Sequence, residues 1–83
     1  MSAVELRKEI TAVPFRPFTV NVADGRRIPV VGQDFIFVSP AGRTAHVYLA
    51  DGSYEKLDML LITGVSFGPP APSPTAGNQA ANP

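Results

Sequence analysis

"VNVADGRRIPV", residues 20–30, and "VYLADGSYEKL", residues 47–57, carry the same Ala-Asp-Gly twenty-seven positions apart, and how the chain turns at each copy decides the fold. Ahead of the first copy, Phe18, Val20 and Val22 alternate with Thr19 and Asn21, the period-two pattern of a strand with one buried face. Asp-Gly is a hairpin signal. A two-residue loop sets Val22 against Arg27 and Asn21 against Ile28, which mixes polar and apolar residues on each face. A three-residue loop of Asp24-Gly25-Arg26 sets Val22 against Ile28 and Val20 against Val30, and so sorts the faces. The same loop at Asp51-Gly52-Ser53 pairs Val47 with Leu57 and Ala45 with Met59, and places His46 opposite Asp58 and Tyr48 opposite Lys56 on the other face. The repeat therefore predicts two hairpins built on one kind of turn. Three identical residues do not decide between shared ancestry and convergence.

Between the copies, "DFIFVSPAGRT" (residues 34–44) holds the continuous apolar run Phe35-Ile36-Phe37-Val38, the pattern of a strand buried on both faces. Ser39-Pro40-Ala41-Gly42 suits a type I turn, with Pro second and Gly fourth, so this strand hairpins into the next. After the second copy, the run from Leu57 to Phe67 is apolar on both alternating sets and reads as one closing strand, with Gly64 at a bend or bulge. Before the first copy, Ser2 and Glu5 have capping-box spacing, and Ala3, Leu6, Ile10 and Val13 recur on one face of a short helix. Pro14 and Pro17 end it. Each proline disfavours the α region in the residue before it, so "PFRPF" (residues 14–18) is extended, with Phe15 and Phe18 anchoring it. Pro14 and Pro17 also have PxxP spacing, but a helix-to-strand connector accounts for them.

At 83 residues, with seven Lys and Arg against seven Asp and Glu and no cysteine, the chain has room for one small domain without disulfides or thiolate chemistry, and its balanced charge sets up no extended field toward an anionic partner. All of those charges fall in residues 1–67, the expected domain. Residues 68–83 hold five of the nine prolines and neither a charge nor an aromatic residue, the composition of a flexible tail. The first ten residues lack the apolar core of a signal peptide, and no apolar run is long enough to span a bilayer, so no membrane partner and a cytoplasmic location are expected.

A helix followed by five strands with short connections resembles the small Sm-like and SH3-like barrels, in which a strongly bent antiparallel sheet closes on itself. The expected fold is therefore mainly β, with a short N-terminal helix, a five-stranded, strongly bent antiparallel sheet and the tail. The closing "LLITGVSF" (residues 60–67) resembles the Sm signature, with Thr63 where that family more often has a basic residue. The Asp and Asn pair with which Sm proteins hold a base is missing, so the resemblance implies no RNA-site residue. In wording the chain is more similar to a group of short bacterial proteins that share a leading helix, an "RPFRPF"-like segment, "ADGR", an apolar "DF" strand, "SPxGR" and "LDxLLI". Those elements are here Val13 to Phe18, Ala23 to Arg26, Asp34 to Val38, Ser39 to Arg43 and Leu57 to Ile62. The resemblance brings no activity with it.

His46, the one imidazole, together with Asp58 has the makings of an acid–base pair, yet a cross-strand hydrogen bond explains the two as well. No motif supplies a nucleophile or a clustered ligand set, so an enzyme, a metal and a cofactor are not expected. Arg16, Arg26, Arg27 and Arg43 lie in a connector and two turns, where they would meet phosphates if gathered on one rim. Solvated turn charges explain them too. The expectation is a non-enzymatic interaction module that associates with itself or a protein partner at a sheet edge, the alternative being RNA binding through an Arg-lined rim.

Overall fold

Ser2 Oγ accepts the Glu5 amide at 3.1 Å while a Glu5 carboxylate oxygen accepts the Ser2 amide at 3.0 Å, and this capping box opens the helix α1 (Ala3–Ile10). The structure is a computed structural model and describes residues 1–68. The proline-rich stretch expected to form a flexible tail therefore lies, past Gly68, outside the described residues. Leu6 is fully buried and Ala3 and Ile10 pack at its margin, but Val13 is 95% exposed and does not share their face. The helix has ended by Thr11, whose amide closes on the Arg7 carbonyl, and Pro14 keeps Val13 from a helical conformation.

Six strands follow: β1 (Phe18–Val22), β2 (Arg27–Val30), β3 (Ile36–Val38), β4 (Thr44–Tyr48), β5 (Tyr54–Asp58) and β6 (Ile62–Phe67). They form two three-stranded antiparallel sheets, ordered β2-β1-β6 and β3-β4-β5. The expected single five-stranded sheet is thus divided. The run read as one closing strand breaks at a 3-10 turn, Met59–Leu61, where the Asp58 carboxylate accepts the Leu60 amide at 2.9 Å. Met59 is buried there and Leu60 is 89% exposed, so the chain changes sheets within this turn. Gly64 lies beside the expected irregularity, since the β1–β6 register shifts between Asn21↔Gly64 and Val22↔Ile62.

Both Ala-Asp-Gly copies form the same three-residue turn, one position earlier than the face-sorting argument placed it. The Val22 amide bonds the Arg26 carbonyl and the Leu49 amide bonds the Ser53 carbonyl, so the loops are Ala23-Asp24-Gly25 and Ala50-Asp51-Gly52. Gly25 (φ +96°) and Gly52 (φ +90°) stand at the last loop position. A type I turn closed by a left-handed residue requires this, and the expected loops would have left Arg26 and Ser53 at that position. The pairs become Val20↔Ile28 and Phe18↔Val30 in one hairpin, and Ala45↔Leu57 and His46↔Lys56 in the other. A shift of two leaves the faces sorted but changes every partner. In the β3–β4 connection the Gly42 amide bonds the Ser39 carbonyl at 2.8 Å, the expected type I turn.

The core lies between the inner faces of the two sheets and under α1: Leu6, Phe18, Val20, Val22, Ile28, Val30, Ile36, Val38, Ala45, Val47, Leu57, Met59 and Ile62. β3 was expected to be buried on both sides, yet only Ile36 and Val38 face this core. Phe37 is 58% exposed and Phe35 falls in the preceding 3-10 turn (Gln33–Phe35). No helix among the described residues is long and apolar enough to cross a membrane.

Candidate functional site

Alternation along β4 sends Ala45 and Val47 inward, and Thr44, His46 and Tyr48 outward. The outward residues meet Phe37 of β3 on one side and Tyr54 and Lys56 of β5 on the other. The register sets Phe37 opposite His46, His46 opposite Lys56 and Tyr48 opposite Tyr54. Ring centroids are separated by 6.0 Å from Phe37 to His46, 5.9 Å from His46 to Tyr54 and 4.9 Å from Tyr54 to Tyr48. Four aromatic rings thus run in unbroken contact across the outer face of the second sheet. His46 and Tyr54 are nearly parallel, at 18°, and His46 Nδ1 hydrogen-bonds the Tyr54 hydroxyl. Tyr48 and Tyr54 stay 53% and 46% exposed. A contiguous apolar strip carrying hydroxyl and imidazole groups, left open to water, is the composition of interface centres.

The residues that sequence reasoning favoured lie elsewhere. Asp58 faces Thr44 rather than His46, so the expected His46–Asp58 pair does not form. The shifted loop is the cause: it moves Lys56 into Asp58's place and leaves the Asp58 carboxylate to cap the 3-10 turn.

The four arginines do not meet on one rim. Arg16 lies 4.5 Å over the Phe67 ring, at the Phe18 end of β1, a cation–π contact. Arg26 lies past the other end of β1, bonded to Asp24 and Glu55 at 2.8 Å each. The hydrogen bond to Asp24 heads the causes that raise the guanidinium's pKa further. Arg27 is exposed on β2 opposite Asn21. Arg43 sits in the β3–β4 turn, its carbonyl accepting the Met59 amide at 2.9 Å, beside an open cavity of about 320 Å³ shared with Gly42, Asp58, Met59 and Leu60. Arg26 holds Glu55 near the start of β5 while the Arg43 carbonyl holds Met59 just beyond its end, and the four residue steps between these anchors span about 13 Å. Two of the four guanidiniums are thus engaged locally, and the set is spread over the ends of both sheets.

Sequence reasoning missed the aromatic strip for two reasons. The run from Phe35 to Val38 hid Phe37's outward position, and the misplaced loop paired Tyr48 with Lys56 instead of Tyr54. The signal was present in the alternation of His46 and Tyr48 with Ala45 and Val47. No protein-family model, curated protein or solved structure matches this chain.

Proposed function

We propose that the protein is a non-enzymatic interaction module that associates through the β3-β4-β5 sheet, with the Phe37–His46–Tyr54–Tyr48 strip as the contact centre and the adjoining β5 edge as its flank. The uncovered strip carries this reading. Packing such rings against a partner removes apolar area from water, and tyrosines lose little rotamer freedom in doing so. Lys56, at the middle of β5, is the kind of charge that keeps a lone edge from indiscriminate pairing, which gives the face the leading role over the edge. As part of the proposal, the two sheets are the halves of an Sm-like or SH3-like barrel, joined where the chain passes from β5 to β6 through the Met59–Leu61 turn. The leading helix supports that assignment.

A photo-reactive phenylalanine at position 37, in cells that make the protein at its natural level, is expected to give a discrete adduct that disappears with Tyr54→Ala. The same probe at exposed Val4 serves as the control. Adducts that match those from Val4, or that survive Tyr54→Ala, would refute the reading.

A second reading places single-stranded nucleic acid on the same strip, with bases stacked on the rings and Lys56 near a phosphate. It replaces the Arg-lined rim and predicts binding that weakens steeply with salt and falls with Tyr54→Ala more than with Arg26→Ala. Unchanged binding in Tyr54→Ala removes it.

A further inference from the structure

The strip asks for an extended, uncharged ligand. Its rings follow one another at 6.0, 5.9 and 4.9 Å, it offers hydroxyl and imidazole groups between them, and Lys56 is the cation set against His46. The chain itself carries such a ligand. Immediately after Gly68, the last described residue, comes Pro69-Pro70-Ala71-Pro72-Ser73-Pro74, without a charge. Proline-rich segments populate the polyproline II conformation before binding, so little ordering entropy opposes docking, and their carbonyls have no internal donors to satisfy them. Six residues of that helix span about 19 Å, which is the scale of the path along the four rings. A nucleic acid or an acidic peptide would bring charges that this face has few cations to meet.

Gly68 and Tyr54 lie toward opposite ends of β1. Gly68 follows Phe67, which pairs with Phe18 at the start of β1. Tyr54 adjoins Glu55, which Arg26 holds beyond the far end of the same strand. A run that begins one residue after Gly68 would use the length of β1, about 17 Å, in reaching Tyr54, which is nearly the whole of its own span. Resting on the reading of the strip as the contact surface, we infer that its occupant is the Pro69–Pro74 stretch of a second copy, and that two copies exchange these stretches in a closed, two-fold pair.

Light scattering on the full chain, from low micromolar to near-millimolar concentration, tests this. The wild-type mass is expected to rise roughly twofold with concentration. The mass of a full-length variant with Pro69, Pro70, Pro72 and Pro74 all changed to Ser, and that of Tyr54→Ser, are expected to stay at the monomer value with the wild-type circular dichroism. Mixing these two variants restores one intact strip and one intact proline run, so a heterodimer is expected from the mixture. A wild-type monomer throughout, or a mixture that stays monomeric, overturns the inference. Undiminished association of the proline variant, lost in Tyr54→Ser, overturns the assignment of the occupant while leaving the strip as the contact surface. Undiminished association of Tyr54→Ser overturns both. A wild-type monomer whose Tyr48 and Tyr54 resonances differ from those of the proline variant puts the stretch on its own strip and overturns the second copy.

Discussion

At the scale of single residues, the two Ala-Asp-Gly turns rest on one backbone conformation. Gly25 and Gly52 both have φ near +90°, and a Cβ at either position would meet no atom within 4 Å. The penalty for alanine there is conformational rather than steric with neighbours, so Gly25→Ala and Gly52→Ala should each cost about 1–2 kcal/mol, read as a lower urea midpoint at unchanged slope. Gly64→Ala, in equally open space without the positive φ, should stay within about 0.5 kcal/mol of wild type. The aspartates beside these glycines hold the turns from the side chain. Asp24 accepts the Arg26 amide and Asp51 accepts the Ser53 amide and hydroxyl, and these bonds lower both carboxyl pKa values, as the Ser2 amide does for Glu5. A carboxyl depressed in the folded state contributes stability that is fully present above its unfolded pKa, about 4, and is lost as pH falls through the folded value. The urea midpoint should therefore be level from neutral pH down to about 5 and decline below about 4. Changing Asp24 and Asp51 together to Asn, which keeps an acceptor but cannot titrate, should flatten that decline. An equally steep acid limb in the double variant would place the titrating groups elsewhere.

At the scale of elements, the segment from Leu57 to Ile62 shows where local polar chemistry overrides an apolar run. Asp58 caps the Leu60 amide, and the three residues after it divide into buried Met59, exposed Leu60 and half-exposed Leu61. Met59→Ala should destabilise by about 2–5 kcal/mol and Asp58→Ala by about 1 kcal/mol, whereas Leu60→Ser should be nearly neutral. Thermal melts of the three variants check that order, and a costly Leu60→Ser would mean that the segment is a continuous strand after all. The capping box of α1, the alternation of β1 and the type I turn at Ser39–Gly42 were legible because each depends on residues within a few positions of one another. Hairpin register was not, since moving a loop by one residue preserves the sorting of faces and only the left-handed requirement of the final glycine decides between the alternatives. Phe37's exposure was hidden for another reason. An apolar run does not say how many of its faces are covered, and β3 has a core on one side only. The strip was therefore the least legible feature, because it needed both corrections before Phe37, His46, Tyr48 and Tyr54 fell into one row.

At the scale of the molecule, two kinds of contact join the parts, and their magnitudes decide which holds. Arg26 reaches from the β1–β2 hairpin of one sheet to Glu55 of the other, with side chains 48% and 35% exposed. Leu6 brings α1 into the shared core with no exposure at all, and an Arg7 guanidinium nitrogen fastens the same helix to the Ser39 carbonyl at 2.7 Å. A solvent-exposed ion pair is worth about 0–1 kcal/mol, while truncating a buried leucine costs about 2–5 kcal/mol in lost transfer energy and residual cavity. A domain of this size has only about 3–5 kcal/mol of net stability from its core. Leu6→Ala should therefore leave a substantial unfolded fraction in water at 25 °C, and Arg26→Ala should shift the urea midpoint only slightly and by less as salt is added. The two sheets share the buried cluster that Leu6 completes, so the loss should appear as one transition in which helix and strands melt together. Circular dichroism at helical and strand wavelengths, followed across the same urea titration, tests this directly. Coincident curves place α1 inside the cooperative unit, and an early helical transition with unchanged strand signal would make the helix an appendage on a self-sufficient pair of sheets.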